Sequence, residues 1–266
     1  MRRVAIPLTF SHHHLHHILT SPYRGVLHVH VDLLAIAAHP DDAELTCGGT
    51  LAKAVRQGHR VGILDLVAGE TGTGGSAAVR MREAARAAQA LGVAVRENAG
   101  LGDAHLHNTD ETRRVVVEWI RRFRPRTVIL PFPVGRHPDH RVASELARDA
   151  CYLAGLKRYD APGRAHRPHK ILYALAYRED PVKPTFVVDI SKSFAAKLRA
   201  IHCFKSQFDG AAAAGEIFPA GQHLYDLIET QSAHYGSLIR ARYGEPFFTH
   251  ETVAVDDVVA LEVQSM

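Results

Sequence analysis

The sequence predicts a single α/β domain of the doubly wound, Rossmann-like kind, in which helices cover both faces of a largely parallel sheet. Two observations carry that expectation. Short apolar runs of strand length alternate with longer stretches of helical periodicity, and alternation at this spacing implies right-handed crossovers between parallel neighbours. The composition also permits a buried sheet: of 266 residues, 46% are hydrophobic and 23% charged, ordinary for a chain long enough to bury a sizeable core.

Taken in order, the first apolar run, Val31–Ala38, reads as a buried strand, and helical periodicity over Glu44–Gln57 runs from it to Gly58. Arg60–Val67 is the second strand, and Ser76–Leu91 a helix that Gly92 stops. Ala94–Ala99 is the third strand, before a helix over Thr109–Phe123 that ends ahead of Pro125. Glycine and proline close helices in this way because neither continues the ladder cheaply. Thr127–Phe132 and the helix Arg141–Leu153 follow, then strands at Ile171–Ala176 and Thr185–Ile190. Phe194–Phe208 is a fifth helix, and a last one over Leu224–Arg242 follows an Ala/Gly loop at 209–221. No repeat or linker divides the domain, which is expected to span residues 31–266.

Several function classes fall away. Three of the four net positive charges are Arg2, Arg3 and Arg24, and residues 1–30 contain no acid, so from Val31 onward the balance is +1 with no basic stripe. That removes the case for nucleic acid. No stretch approaches the roughly 20 apolar residues of a membrane span. Three scattered cysteines without a CxxC pair argue against disulfides or a thiolate metal site and fit a reducing cytoplasm. Residues 1–30 hold seven of the 19 histidines, among them His12, His13, His14, His16 and His17. Pro7, Ser11, Pro22 and Arg24-Gly25 break any period there, so the segment reads as a disordered extension rather than a metal tract. It lacks the unbroken apolar core and cleavage site of a signal peptide. The folded pattern begins only near Leu27, which fits an overlong start assignment.

The candidate chemistry lies where topology would place it. Ligands bind at the carboxyl ends of the strands where strand order reverses, which in an order beginning 3-2-1-4 is between strands 1 and 4. Strand 1 ends in His39-Pro40-Asp41-Asp42, and strand 4 leads into His137-Pro138-Asp139-His140. His39 and Asp42, three apart in a strand-to-helix turn, can point at one ion, with His140 from the facing helix as third ligand. Two imidazoles and a carboxylate suit zinc, admit iron or cobalt, and leave a position for water. Asp41, the remaining acid, would serve as base. Each motif has a plainer account, since an Asp before a helix is often an N-cap; their meeting in one crevice is what favours the metal. A sugar-binding protein without catalysis would also use a polar crevice, but it leaves Asp41 without a purpose.

A second candidate is the run Gly69-Glu70-Thr71-Gly72-Thr73-Gly74-Gly75. Gly72-x-Gly74-x-x-Ala77 loosely fits a dinucleotide fingerprint, with Glu97 20 residues beyond Ala77, the mark of a nicotinamide-dependent oxidoreductase. The run follows strand 2 rather than strand 1, and Asp41, Asp42 and Glu44 would repel a pyrophosphate. The glycines therefore read as a flexible rim, with Arg80 and Arg82 just inside the next helix.

With these residues in view, the chain resembles the LmbE/PIG-L family of zinc-dependent N-acetylglucosamine deacetylases from about Leu33 onward, most of all those of bacillithiol biosynthesis. The likeness runs through AHPDDAEL, GGTLAKAVRQGHRVGILDL, GETGTGG, RHPDHRVAS, FVVDIS, KSQF and YGSLI. It departs at Phe204, where a tyrosine is expected, and at Gln231, where an arginine is common. The resemblance implies that His39, Asp42 and His140 hold one Zn2+, with Fe2+ or Co2+ as alternatives, and that Asp41 is the general base. It implies that His137 assists at the substrate carbonyl with Asp139 as its partner, and that Arg80 meets the substrate. Protonated His137, raised by Asp139, would then steady the oxyanion, and Arg80 with Arg136 would pair with an anionic aglycone such as malate. The implied substrate is N-acetylglucosaminyl malate or another N-acetylglucosamine conjugate (chitobiose, inositol or lipid), and the implied protein a cytoplasmic homo-oligomer, a hexamer by likeness.

Overall fold

The computed structural model describes residues 30–175, 182–209 and 224–263. The histidine tract, Ala176 and nearly all of the Ala/Gly loop lie outside the described residues. Seven strands form one sheet: β1 (Leu33–Ala37), β2 (Val61–Val67), β3 (Val95–Leu101), β4 (Thr127–Pro131), β5 (Lys170–Ala174), β6 (Phe186–Asp189) and β7 (Gly244–Phe248). Their order is β3-β2-β1-β4-β5-β7-β6. β1 pairs in parallel with both β2 and β4, so strand order reverses there, which meets the condition of an order beginning 3-2-1-4. The described helices are α1 (Asp42–Arg56), α2 (Ala77–Leu91), α3 (Asp110–Phe123), α4 (Pro138–Ala154), α5 (Phe194–Ile201), α6 (Lys205–Phe208) and α7 (Leu224–Ser237).

β2 is buried along its whole length and β1 is nearly so, which is why both read as continuous apolar runs. On one face Val116, Val117 and Ile120 of α3 pack with Leu146, Ala147 and Ala150 of α4 over Ile36, Leu64 and Leu130. On the other, Leu51 of α1, Ala84 and Ala87 of α2 and Ala200 of α5 cover Ala35, Ile63 and Ile129. Arg96 on β3 ties three elements together, with Nε 2.7 Å from Asp65 Oδ2 and Nη1 2.5 Å from Glu44 Oε1. Glu44 is thereby withdrawn from the crevice. Among the described residues no helix is long and apolar enough to cross a membrane.

Three expectations need correction. The fifth helix is two: α5 ends at Ile201 and α6 starts at Lys205, because the chain turns to drop Phe204 into the core, where it is fully buried. The last helix stops at Ser237, and Arg240 takes a positive φ of 56° to turn the chain back. That turn leads into β7, which periodicity did not anticipate: a five-residue strand containing Pro246, antiparallel to both β5 and β6.

Candidate active site

The crevice forms where the loops after β1, β2, β3 and β4 meet. Pro40 precedes Asp41, which sits at the N-cap position of α1 with φ 117° and makes no side-chain cap hydrogen bond. A non-glycine residue in that region costs on the order of 1–3 kcal/mol. The carboxylate thus released from capping meets Arg80, whose Nη2 lies 3.2 Å from Asp41 Oδ2. The plain N-cap account of this aspartate does not apply.

Asp42 Oδ2 is the meeting point of the two motifs. It accepts from the His39 backbone N–H at 2.8 Å and lies 3.3 Å from His39 Nδ1 and 3.1 Å from His140 Nε2. His140 stands in the first turn of α4, so the helix that begins with Pro138 delivers it across 98 residues of sequence to the end of β1. The other edge of the His39 ring faces two acids, with Nε2 3.1 Å from Asp103 Oδ1 and 3.3 Å from Asp139 Oδ2. Ligand atoms of His39, His137 and His140 lie within 4.8 Å of one another, as do those of His39, Asp103 and Asp139.

Charge balance explains the proton placement. Burial disfavours a charged His39, yet the hydrogen bond and charge of Asp42, helped by Asp41 and Asp103, push it up to about 9. Burial likewise opposes ionised Asp42, but His140 and His39 hold it well below the usual carboxylate range. His140 is raised, because Asp42 outweighs its burial. Asp41 is pushed up to about 7 by burial, against the pull of Arg80 and with Asp42 adding to the rise. Asp41, Asp42, Asp103 and Asp139 therefore crowd three imidazoles and one arginine. The donor set and the need for positive charge both fit a divalent cation.

The structure gathers His39, Asp41, Asp42, His137, Asp139 and His140, and it redirects two of their expected contacts. The carboxylate of Asp139 faces His39 Nε2 and accepts from the Ala104 N–H at 3.0 Å, rather than partnering the His137 ring. His137 Nδ1 instead accepts from the Asp139 backbone N–H at 3.2 Å. Burial and the charges of His39 and His140 hold His137 below the ordinary imidazole range, against a smaller opposing effect of Asp139. The expectation of a protonated ring is corrected: a neutral ring whose Nδ1 accepts carries its proton on Nε2.

Arg80 is 5% exposed rather than spread along the rim. Its guanidinium donates to Pro40 O at 2.8 Å and Gly69 O at 3.3 Å, while Nε is buried without a partner. Gly69, at φ +73°, is needed here, since a Cβ would collide with the Arg80 guanidinium. Arg136 lies exposed on the loop before α4, its carbonyl accepting from Arg141.

The glycine run is not a loose rim. A Cβ at Gly74 would collide with the Ser206 carbonyl oxygen, and Ser206 is itself held by Glu83 of α2 through its N–H at 2.9 Å and its hydroxyl at 2.6 Å. The glycines thus allow α6 to close on the loop, and Ser76 caps α2 through its side chain. Asp103 escaped the motif search. It accepts from the N–H and hydroxyl of Thr71 at 2.8 and 2.7 Å while meeting His39. Its only sequence signal is its place just after β3, on the same sheet edge as the two motifs.

The family model described as PIG-L, GlcNAc-PI de-N-acetylase, matches residues 34–151, which contain both motifs. A diacetylchitobiose deacetylase of Thermococcus kodakarensis is 32% identical over 243 residues, covering 85% of this chain and 84% of the relative. Among solved structures, a conserved protein of Thermus thermophilus superposes with a TM-score of 0.77 at 36% identity, over 85% of this chain and 98% of that one. The N,N'-diacetylchitobiose deacetylase of Pyrococcus horikoshii, solved with an inhibitor, gives 0.69 at 28% identity over 81% and 82% of the two chains.

Proposed function

The chain belongs to the PIG-L/LmbE family of de-N-acetylases, and on that premise we propose that it hydrolyses the N-acetyl group of an N-acetylglucosamine conjugate with metal assistance. The observation that carries the proposal is Asp41. It is a buried carboxyl pushed up to about 7, released from capping and set beside the His39/Asp42/His140 cluster. His39, Asp42 and His140 would hold the ion, Zn2+ in the first instance. When bound, such an ion supplies Lewis acidity that polarises a carbonyl and lowers the pKa of water toward about 7.

The chain's own residues do the rest. Asp41, whose carboxyl burial raises while Arg80 keeps it from rising further, accepts the proton of the attacking water. His137 donates through Nε2–H to the oxygen on which charge develops. Asp103 and Asp139 hold the far edge of His39, which leaves Nδ1 directed toward Asp42. As the amide C–N bond breaks, Asp41 returns its proton to the departing amine. The products are acetate and the free amino sugar.

For the conjugate, the support favours a sugar aglycone as in diacetylchitobiose, on the likeness to the Thermococcus enzyme. Of the two guanidiniums expected to pair with a malate aglycone, that of Arg80 is engaged with Asp41, which leaves Arg136, exposed on the loop before α4, to meet its carboxylates. The test is amine release by zinc-loaded protein from diacetylchitobiose, N-acetylglucosaminyl malate and the inositol conjugate, with about one metal per chain. Turnover of the chitobiose substrate ahead of the others is expected. No amine from any of the three would overturn the reading, and preference for malate would return the substrate to bacillithiol chemistry.

A further inference from the structure

The turn of α1 that follows the site is held from outside the helix. Lys197 of α5 and Glu245 of β7 are both buried and form an ion pair, Nζ to Oε1, at 2.7 Å. The pair grips the α1 backbone. Lys197 Nζ donates to the Leu45 carbonyl at 2.9 Å, and the Glu245 carboxylate accepts from the Gly49 and Thr50 N–H groups at 2.9 and 2.6 Å. In an undisturbed helix Gly49 N–H is directed at the Leu45 carbonyl, four residues back. The pair therefore meets both ends of one rung of the ladder, with the carboxylate toward the N–H groups and the ammonium toward the carbonyl, the signs that backbone dipoles favour. Gly49 allows the close seating of α1, because a Cβ there would stand 2.8 Å from the Ile190 side chain. The grip reaches the site through two hydrogen bonds. Leu45 N–H donates to the Asp41 carbonyl at 3.0 Å, and Thr46 Oγ1 donates to the Asp42 carbonyl at 2.7 Å.

We propose that Lys197 and Glu245 are positioning residues for the reaction: by clamping the turn from Leu45 to Thr50 they hold Asp41 in its left-handed conformation and Asp42 at the crevice. The proposal rests on the deacetylase reading of the site and extends it to two residues that touch no reacting atom. A non-glycine residue keeps such a backbone conformation only where its surroundings over-determine it, and Asp41, at φ 117°, has no side-chain cap hydrogen bond to do so. A buried ion pair is a poor source of stability, since an apolar pair of similar volume often serves as well. What an apolar pair cannot do is bond two N–H groups and a carbonyl in the interior of a helix. Without the clamp, Gly49 N–H and the Leu45 carbonyl are left to close on each other, and the Leu45 amide draws Asp41 out of place.

The experiment replaces both members at once, Lys197→Met with Glu245→Leu, so that no lone buried charge remains. Circular dichroism and melting temperature should stay near wild type. With zinc saturating, amine release from diacetylchitobiose should fall about 10- to 100-fold in kcat, the cost of a displacement of about 1 Å at the reacting groups, with KM within about twofold. Independently of turnover, zinc affinity should fall by about tenfold or more, and the visible spectrum of the Co2+-loaded protein should change, because Asp42 is displaced. Glu245→Gln, which keeps one acceptor oxygen and loses the other, carries the same comparison at smaller amplitude if the double variant does not fold. A folded variant with wild-type kcat, zinc affinity and Co2+ spectrum would overturn the proposal, whatever its melting temperature. Absence of turnover in the wild type removes the deacetylase reading, while zinc affinity and the Co2+ spectrum still decide whether the pair positions Asp42.

Discussion

Arg80→Gln separates two roles for one residue. If Arg80 read the substrate, its loss would raise KM, most for an anionic aglycone. The geometry makes it a positioning residue instead, with Nη2 3.2 Å from Asp41 Oδ2 and both groups buried. A cation at this range typically lowers a carboxyl by 1–3 units, and Asp41 stands at about 7 with Arg80 in place. Removal of that charge therefore carries the Asp41 carboxyl upward by roughly 1–3 units. On the acid limb of the profile, where the ionised fraction rises tenfold per pH unit, that is a loss of about 10- to 1,000-fold in kcat. Glutamine can still donate to the carbonyl of Pro40, which limits the structural cost. The assay is a kcat profile from pH 5 to 10 on metal-loaded wild type and variant. The acid limb of the variant should shift upward by one unit or more, with activity recovering at high pH and KM little changed. An unshifted limb, or a KM effect confined to anionic substrates, would refute the pairing as the source of Arg80's role.

Asp41→Asn should retain metal and lose on the order of 10²–10⁴-fold in turnover, read by metal analysis beside kcat; near-normal rates would move the base elsewhere. His140→Ala should lose the metal, whereas His137→Ala should keep it and lose turnover, and equal metal loss in both would make His137 a ligand. Metal binding should release protons. His39 holds its proton up to about 9 in the metal-free protein, so at pH 8 metal binding displaces the His39 proton. Calorimetry in buffers of different ionisation enthalpy measures that release, and buffer-independent heats would contradict it. By the same linkage, the stability that protonated His39 contributes to the metal-free protein is complete below its unfolded value of about 6.5 and is lost as pH rises through about 9. Melting temperatures of the metal-free protein should carry that loss between these limits, and the metal-loaded protein should not.

Six of the seven strands, the helices that follow the first four of them and the two His/Asp motifs were legible without coordinates, and an order beginning 3-2-1-4 put the switch between β1 and β4. They rest on local signals: buried strands are apolar along their length, glycine and proline close helices, and parallel crossovers have one hand. What only the tertiary structure decided is which groups pair across long stretches of chain. Asp139 looks like a partner for its neighbour His137, yet its carboxylate faces His39, 100 residues away. Arg80 looks like a rim cation, yet it is buried on Asp41. Asp103 carries no motif and meets His39 only because β3 ends beside β2. β7 has no periodicity of its own and exists because β5 and β6 offer unpaired edges to five residues that turn back from α7. Local sequence sets the preferences of a backbone segment, but the direction of a buried side chain depends on which charge and which surface the fold brings against it. Hence the sequence alone determined where the site lies and which residue types it holds, and the tertiary structure decided how those residues divide the protons among them.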